Sequence, residues 1–456
     1  MISPHIFRQY DLRGIFNRDF SADDAREIGA GFATFLRQKN PDQNLKIAVG
    51  RDGRTHSEIV QKNFVAGVIS AGVDVCEIGP APTPLLNFAV CAGEFDGGAQ
   101  ITASHNPPDY NGFKLSGKNS HAICGEEIQE IRQIISAGKF DRGSGKISQK
   151  SFTEKWFEKL AQFAPTKFSG KIAIDAGNGI AGPFAEKFFS KFSNVVPLFC
   201  EIDGTFPNHQ PDPERAENLR DLQNAISNQN CRVGLAFDGD GDRLGVVDES
   251  GKIWSADFLL LLFACDFLKR NSGGGVVFNL TATKILPAEI EKRGGVPHES
   301  KTGHSFIEQK MRATNSLLGG ETSGHFFFGE NYFGFDDAFL AAVKVLQILE
   351  KSGKSLAQHF TNLPATFASE EIKIPVPEEN KFSVLKKIVA TAEEKYPGKT
   401  LTLDGVKIFF ESGWAVVRAS NTSPFLTARF EADDEINFAK IEKSLREIFR
   451  EVGKEF

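Results

Sequence analysis

No stretch of this chain is apolar for long enough to cross a membrane. The longest run, Phe258–Cys265, stops at Asp266, far short of the roughly 20 residues that a span requires. The first ten residues already carry His5, Arg8 and Gln9, so they do not read as a secretory signal. Cysteines are few and dispersed, at 76, 91, 124, 200, 231 and 265, with no C-x-x-C among them, which argues against a metal cluster or a disulfide framework. A reducing, cytoplasmic compartment is expected. Basic charge is not in excess either: 53 Lys plus Arg stand against 59 Asp plus Glu, a net charge of -6 that offers no general attraction to nucleic acid or anionic membrane. Any anion must therefore be bound by a local arrangement. Tyrosine is rare at 4 residues while phenylalanine reaches 42, a bias for which core filling is the plain explanation.

What is present is a chain of 456 residues with 41% hydrophobic content, enough to bury several cores. Short strands alternate with amphipathic helices: a helix over Asp23–Gln38, a strand at Lys46–Gly50, then a helix led by Thr55 and Glu58 at capping-box spacing. Ile59, Phe64, Val65, Val68 and Ile69 form the apolar stripe of that helix, and Asp74–Ile78 is the next strand. The rhythm recurs from Lys171 and again from Ala256, the mark of parallel or mixed sheets with crossover helices. From about Glu370 the pattern changes to consecutive strands flanked by helices, which predicts a smaller α+β domain. Pro364–Ala368 reads as the hinge before it, so that domain is expected to move as a lid.

Four stretches carry chemistry. In TASHNPPDYNG, Thr102–Gly112, a strand gives way to a loop, and the carboxyl end of a strand is where an open α/β sheet binds ligands. Ser104 is the candidate nucleophile, against a plain polar turn as the competing reading. His105 is poorly placed as its base, because neighbours in extended chain point to opposite sides. The second stretch, DGDGDR, follows the strand VGLAF. Asp238, Asp240 and Asp242 alternate with glycines and can converge on one hard cation. An EF-hand would need Gly at the position of Arg243, and a site without His or Cys disfavours zinc, so Mg²⁺ is expected. The third, GGETSGH at 319–325, offers Glu321, Thr322, Ser323 and His325 to a polyhydroxylated ligand. The fourth, RASNTSP at 418–424, ends a strand with Arg418, Ser420, Asn421 and Thr422, suited to a phosphate or equally to a capped turn.

In this order, the four stretches resemble the active-serine, metal, sugar and phosphate loops of the α-D-phosphohexomutases. FRQYDLRG, GPAPTP, FPNHQPDP and KTGHSFI are similar to the bacterial phosphomannomutase/phosphoglucomutase branch. The resemblance implies three related mixed-sheet α/β domains and a smaller C-terminal α+β domain around a central cleft, at 1–150, 151–254, 255–367 and 368–456. It implies a phosphoserine at Ser104, with Mg²⁺ held by Ser104, Asp238, Asp240 and Asp242. Sugar recognition falls to Glu321, Thr322 and Ser323, and phosphate binding to Arg418, Ser420, Asn421 and Thr422. Arg13, Lys114, His325 and Arg243 are implied for proton transfer or charge stabilisation, while Tyr10, Arg243 and His304 line the cleft. FNLTATK, at 278–284, departs from the branch, and no role is assigned to it.

The implied reaction exchanges hexose 1-phosphate and hexose 6-phosphate of the mannose and glucose series. A phosphoserine and a 1,6-bisphosphate are its intermediates, with glucose or mannose 1,6-bisphosphate as activator. A monomer acting on small hexose phosphates is expected. Phosphoglucosamine mutase and a Mg²⁺-dependent sugar phosphatase are the alternatives.

Overall fold

The computed structural model describes residues 2–41, 43–377, 379–420 and 424–455. The chain divides into two compact units, Met1–Leu259 with Ser323–Ala357, and Leu260–Thr322 with Gln358–Phe456. Among the described residues no helix is long and apolar enough to cross a membrane.

The first unit begins with a mixed six-stranded sheet in the order Leu12–Ile15, Tyr110–Gly117, Gly97–Ile101, Lys46–Arg51, Asp74–Pro80, Ile147–Gln149. Lys46–Arg51 lies parallel to both neighbours, whereas Tyr110–Gly117 runs antiparallel to Gly97–Ile101 and to Leu12–Ile15. That pairing sets Arg13 opposite Gly112, so two distant motifs share one sheet edge. The expected first helix is Ala22–Lys39, entered through a capping box between Ser21 and Asp24. The next helix departs from expectation. It starts at Ser57 with His56 as its N-cap and no side-chain cap, because Asp52 already accepts the Ser57 hydroxyl at 2.5 Å and Glu58 pairs with Arg51 at 3.4 Å. Ile59 is also off the buried stripe, 43% exposed, while Phe64, Val65 and Val68 are buried.

The second sheet of this unit runs Ile253–Trp254, Leu244–Asp248, Cys231–Phe237, Lys171–Asp175, Asn194–Leu198. Its core accounts for much of the phenylalanine bias. Trp156, Phe189 and Phe237 pack on Phe339 with ring centroids 4.7, 6.2 and 4.9 Å away. Of the twelve largest fully buried side chains among the described residues, all but Trp156 are phenylalanine, so the residue serves chiefly as filler.

In the second unit Gly275–Asn279 lies between parallel strands Val296–Ser300 and Leu318–Gly320. The C-terminal part is α+β as expected. Phe425–Ala432 and Gly413–Ala419 are its central antiparallel pair, and helices Lys381–Lys395 and Glu435–Glu451 complete it. The expected hinge is shorter than read, because Phe367–Ala368 already pairs with Ala432 and Glu431 of that sheet.

One buried carboxylate organises the start of helix Ala338–Ser352. Asp337 caps it by accepting the Leu340 N–H at 2.9 Å, and also accepts from Tyr332 Oη at 2.7 Å and Trp156 Nε1 at 3.1 Å. Burial pushes its carboxyl up to about 6, against the opposing pull of these hydrogen bonds. A carboxyl whose pKa is higher in the fold than in the unfolded chain stabilises most where it is protonated. Its contribution is lost as pH rises from about 4, the ordinary value, towards the folded value. Asp337→Asn removes this titration, so the parent's stability margin over the variant in urea unfolding shrinks by roughly 3 kcal/mol between pH 4 and pH 7. A margin that stays constant with pH contradicts this account.

Candidate functional site

Ser104 follows the fully buried strand Gly97–Ile101 and is itself buried. Its backbone takes the left-handed conformation, φ +50°, and its N–H is received by Thr102 Oγ1 at 2.9 Å. Non-glycine residues held there cost free energy and cluster at functional sites. The Ser104 hydroxyl donates to Asp238 Oδ2 at 2.7 Å and lies 3.2 Å from His105 Nδ1. The expected separation of Ser104 and His105 is therefore wrong: it assumed extended chain, and the left-handed turn brings the two side chains to one side. Burial, then the positive charges of Arg243, Arg13 and Lys114, hold the His105 imidazole well below its usual pKa, so it is neutral.

Facing Ser104 are Asp238, Asp240 and Asp242, all fully buried, with carboxylate oxygens within 4.8 Å of one another. Asp238 Oδ1 closes the loop by accepting the N–H groups of Gly241, Asp242 and Arg243 at 3.0, 3.0 and 3.1 Å. Asp240 Oδ2 accepts from Thr83 Oγ1 at 2.6 Å and from Lys114 Nζ at 2.7 Å, and Lys114 also pairs with Asp242. Burial opposes the Lys114 ammonium, but the three aspartates outweigh it and hold its pKa above the ordinary lysine value. Asp238 is pushed up by burial and by its two neighbours' charges. Asp240 Oδ1 and Asp242 Oδ1 are buried and accept no hydrogen bond among the described residues. An all-oxygen set with two such acceptors fits a hard divalent cation.

His325 borders this cluster. Arg243 Nε donates to its Nε2 at 3.0 Å, which leaves the ring proton on Nδ1, 2.8 Å from Asp336 Oδ2 and 3.6 Å from Asp242 Oδ1. Asp242, His325 and Asp336 thus have metal-ligand proximity, but a ring nitrogen that carries its proton is a hydrogen-bond donor and not a ligand. Arg13 pairs with Asp11, both of them buried, and donates from Nη1 to Asn106 Oδ1 at 2.8 Å. Tyr10 is half-buried just ahead of Leu12–Ile15. Ser323 is half-buried and belongs to this first unit.

The other sequence candidates lie in the second unit. Glu321 is buried and accepts the Gly303 N–H at 2.5 Å, beside His304 at the start of helix His304–Thr314. Thr322 is held by the segment to which no role was assigned. Its N–H donates to Asn279 Oδ1 at 3.1 Å, and its hydroxyl lies 3.0 Å from Asn279 Nδ2 and 2.9 Å from Thr281 Oγ1. FNLTATK therefore shapes the candidate sugar loop. Arg418, buried at the end of Gly413–Ala419, lies 3.8 Å from Glu371. The Ser420 carbonyl accepts from the buried Lys381 ammonium at 2.8 Å. Asn421 and Thr422 lie outside the described residues.

Sequence reasoning missed Thr83, Asp336, Asn279, Thr281 and Lys381. Thr83 had a signal, the Pro-Thr-Pro that opens a helix, and Asp336 had another in the paired aspartates before a helix. The spacing of the aspartate loop has a steric reason too: a side chain at Gly239 would put Cβ onto the Ser104 carbonyl oxygen. Gly239→Ala must push the two loops apart, and calorimetric titration should show divalent-cation affinity at least tenfold weaker, about 1.4 kcal/mol. Parental affinity in a folded Gly239→Ala variant contradicts the packing argument.

Comparison with known proteins identifies the family. Four family descriptions match in succession: phosphoglucomutase/phosphomannomutase alpha/beta/alpha domain I over residues 4–142, domain II over 151–251, domain III over 255–367 and the C-terminal domain over 371–448. A phosphomannomutase/phosphoglucomutase of Pseudomonas aeruginosa is 40% identical over 443 residues, 97% of this chain and 94% of that protein. A phosphoglucomutase of Neisseria meningitidis serogroup A is 40% identical over 454 residues, 98% of this chain and 97% of the relative. Among solved structures, a phosphoglucomutase/phosphomannomutase family protein of Burkholderia thailandensis superposes with a TM-score of 0.92 at 36% identity, covering 99% of this chain and 98% of that one. The chain belongs to the phosphoglucomutase/phosphomannomutase family of α-D-phosphohexomutases, which are isomerases.

Proposed function

We propose that this protein interconverts hexose 1-phosphates and hexose 6-phosphates of the glucose and mannose series by carrying the phosphoryl group on Ser104. The observation that carries the reading is the buried Ser104 hydroxyl hydrogen-bonded to Asp238, in a loop of three converging carboxylates. Moving a phosphoryl group between O1 and O6 is not a direct hop, so the protein must hold it between two half-reactions. In the first, the bond between phosphorus and Ser104 Oγ breaks as one forms to the free sugar hydroxyl, giving a 1,6-bisphosphate. In balance, the hydroxyl proton leaves the sugar and one proton is restored to Ser104. The bisphosphate turns round, and the second half-reaction returns its other phosphoryl group to Ser104. A glucose or mannose 1,6-bisphosphate added from outside would prime Ser104 by that same second step.

Ser104, Asp238, Asp240 and Asp242 would hold Mg²⁺, which supplies charge neutralisation to a transferring phosphoryl group. The chain's own cations surround the same place. Lys114, Arg13 and Arg243 stay protonated and can only donate, which leaves the imidazoles of His105 and His325 as the proton acceptors beside the cluster. His105 Nδ1 lies 3.2 Å from the Ser104 hydroxyl, whereas the His325 Nε2 lone pair receives Arg243 Nε and would have to exchange that partner for the sugar proton. Glu321, Thr322 and Ser323 would recognise the sugar, with Tyr10 and His304 beside it. Arg418, Ser420, Asn421 and Thr422 would take the phosphate that is not reacting. We assign these roles to four domains at 1–150, 151–254, 255–367 and 368–456.

Two measurements test this reading. Asp240→Asn should abolish turnover in a coupled mutase assay while leaving the thermal melt within a few degrees of the parent. A folded Asp240→Asn variant with parental turnover would remove the metal loop from the chemistry. Because the bisphosphate binds in two orientations, sugar contacts are useful only where they survive the exchange of O1 and O6, as the 3- and 4-hydroxyls do. Glucose and mannose differ at C2, so kcat/KM for the two 1-phosphates should agree within about tenfold, ~1.4 kcal/mol. A preference of a hundredfold, or a preference for glucosamine 1-phosphate, would mean that C2 is read.

A further inference from the structure

Arg54 is a buried cation that touches none of the reacting atoms, yet each of its five N–H groups has an acceptor. Nη2 donates to the carbonyls of Ser104 at 2.8 Å and Asn106 at 2.6 Å, and Nη1 to those of Pro107 at 2.7 Å and Tyr110 at 3.1 Å. Nε donates to Asp52 Oδ2 at 3.1 Å, and Asp52 Oδ1 in turn accepts the Arg54 N–H and the Ser57 hydroxyl. The Phe206 ring lies over the guanidinium at 5.1 Å, and Gln210 Nε2 donates to the His105 carbonyl at 2.6 Å. Both belong to FPNHQPDP, a stretch to which the proposed chemistry gives no part.

We infer that Arg54 is the positioning residue that fixes Ser104 for phosphoryl transfer. It gathers four carbonyls of the 104–110 loop onto one planar cation, with Phe206 as its lid. This rests on the proposed function of Ser104, and it adds a residue that acts on the loop from behind. The left-handed turn at Ser104 needs an external hold, since that backbone conformation is unfavourable for a side chain. The N–H side of the turn is held by Thr102, and the carbonyl side is held by Arg54. The same cation orders Asn106, whose side chain receives Arg13. A lysine would keep the charge but not the fork, because three N–H groups on one nitrogen cannot span four carbonyls and a carboxylate.

The test is Arg54→Lys, read by mutase kinetics and by amide hydrogen exchange of the 102–112 segment. The expected result is a kcat at least roughly tenfold lower with KM within about threefold of the parent, because the loop is misplaced and the substrate contacts are not. Exchange over 102–112 should accelerate at least roughly tenfold, while the strand Lys171–Asp175 keeps its protection. A variant with parental kcat and parental exchange overturns the inference. So does a loss of kcat matched by faster exchange throughout the chain, which would make Arg54 a general stability residue. Should Arg54→Lys fail to fold, Asp52→Asn loosens the guanidinium without removing it, and the same split is expected at smaller size. A folded Asp52→Asn variant with parental kcat and exchange overturns it equally. The exchange measurement needs no turnover, so a parent without mutase activity would fail the proposed function alone and leave the positioning role to be decided by exchange.

Discussion

Three carboxylates buried within reach of one another are the constraint on which the rest of the first unit depends. Unpaired, such a cluster is too costly to bury, so partners must come from every side. Lys114 comes from the antiparallel hairpin, Thr83 from the start of a helix, and three backbone N–H groups, those of Gly241, Asp242 and Arg243, from the loop itself. Ser104 completes the set with a donated hydroxyl. Each partner sits on a different element, so the two sheets of this unit must pack in one relation for the cluster to be tolerated. Packing and chemistry share one cause here.

That cause explains which parts were readable in the sequence. The aspartates alternate with glycines, a spacing rare enough to mark a cation loop, and the strand-helix rhythm follows from hydrophobic periods that any α/β protein must keep. The His105 geometry was unreadable, since it turns on a single φ at Ser104 that nothing in the S-H-N-P-P wording fixes. The capping box at Thr55 and Glu58 was a pattern outcompeted by Asp52, three residues earlier, which had already engaged Ser57. Arg54, Asp336 and Lys381 act through contacts with residues that are distant in the chain or point away from it, and charge type alone does not reveal them. The Pro364–Ala368 segment reads as a short hinge, and only the sheet register places its last two residues in a strand.

In the second unit the same economy is seen in FNLTATK. The departure from family wording left it without a role, yet Asn279 and Thr281 bind Thr322 and thereby shape the loop that carries Glu321. A little further along, Thr283 donates to the buried Glu431 at 2.6 Å, which also accepts the Lys284 N–H at 2.8 Å and Trp414 Nε1 at 3.0 Å. One seven-residue stretch thus links the candidate sugar loop to the C-terminal sheet through groups of complementary donor and acceptor character. Substituting within it should be judged by those bonds, and not by its distance from the aspartates.

The central claim is that Ser104 carries phosphate opposite the aspartate loop. Intact and peptide mass measurement after incubation with glucose 1,6-bisphosphate and Mg²⁺ tests it most directly. The account predicts one phosphate-sized adduct on the peptide containing Ser104, absent from Ser104→Ala and discharged by a hexose 1-phosphate. A protein that turns over fully with no adduct on that peptide, or an adduct that persists in Ser104→Ala, would contradict it.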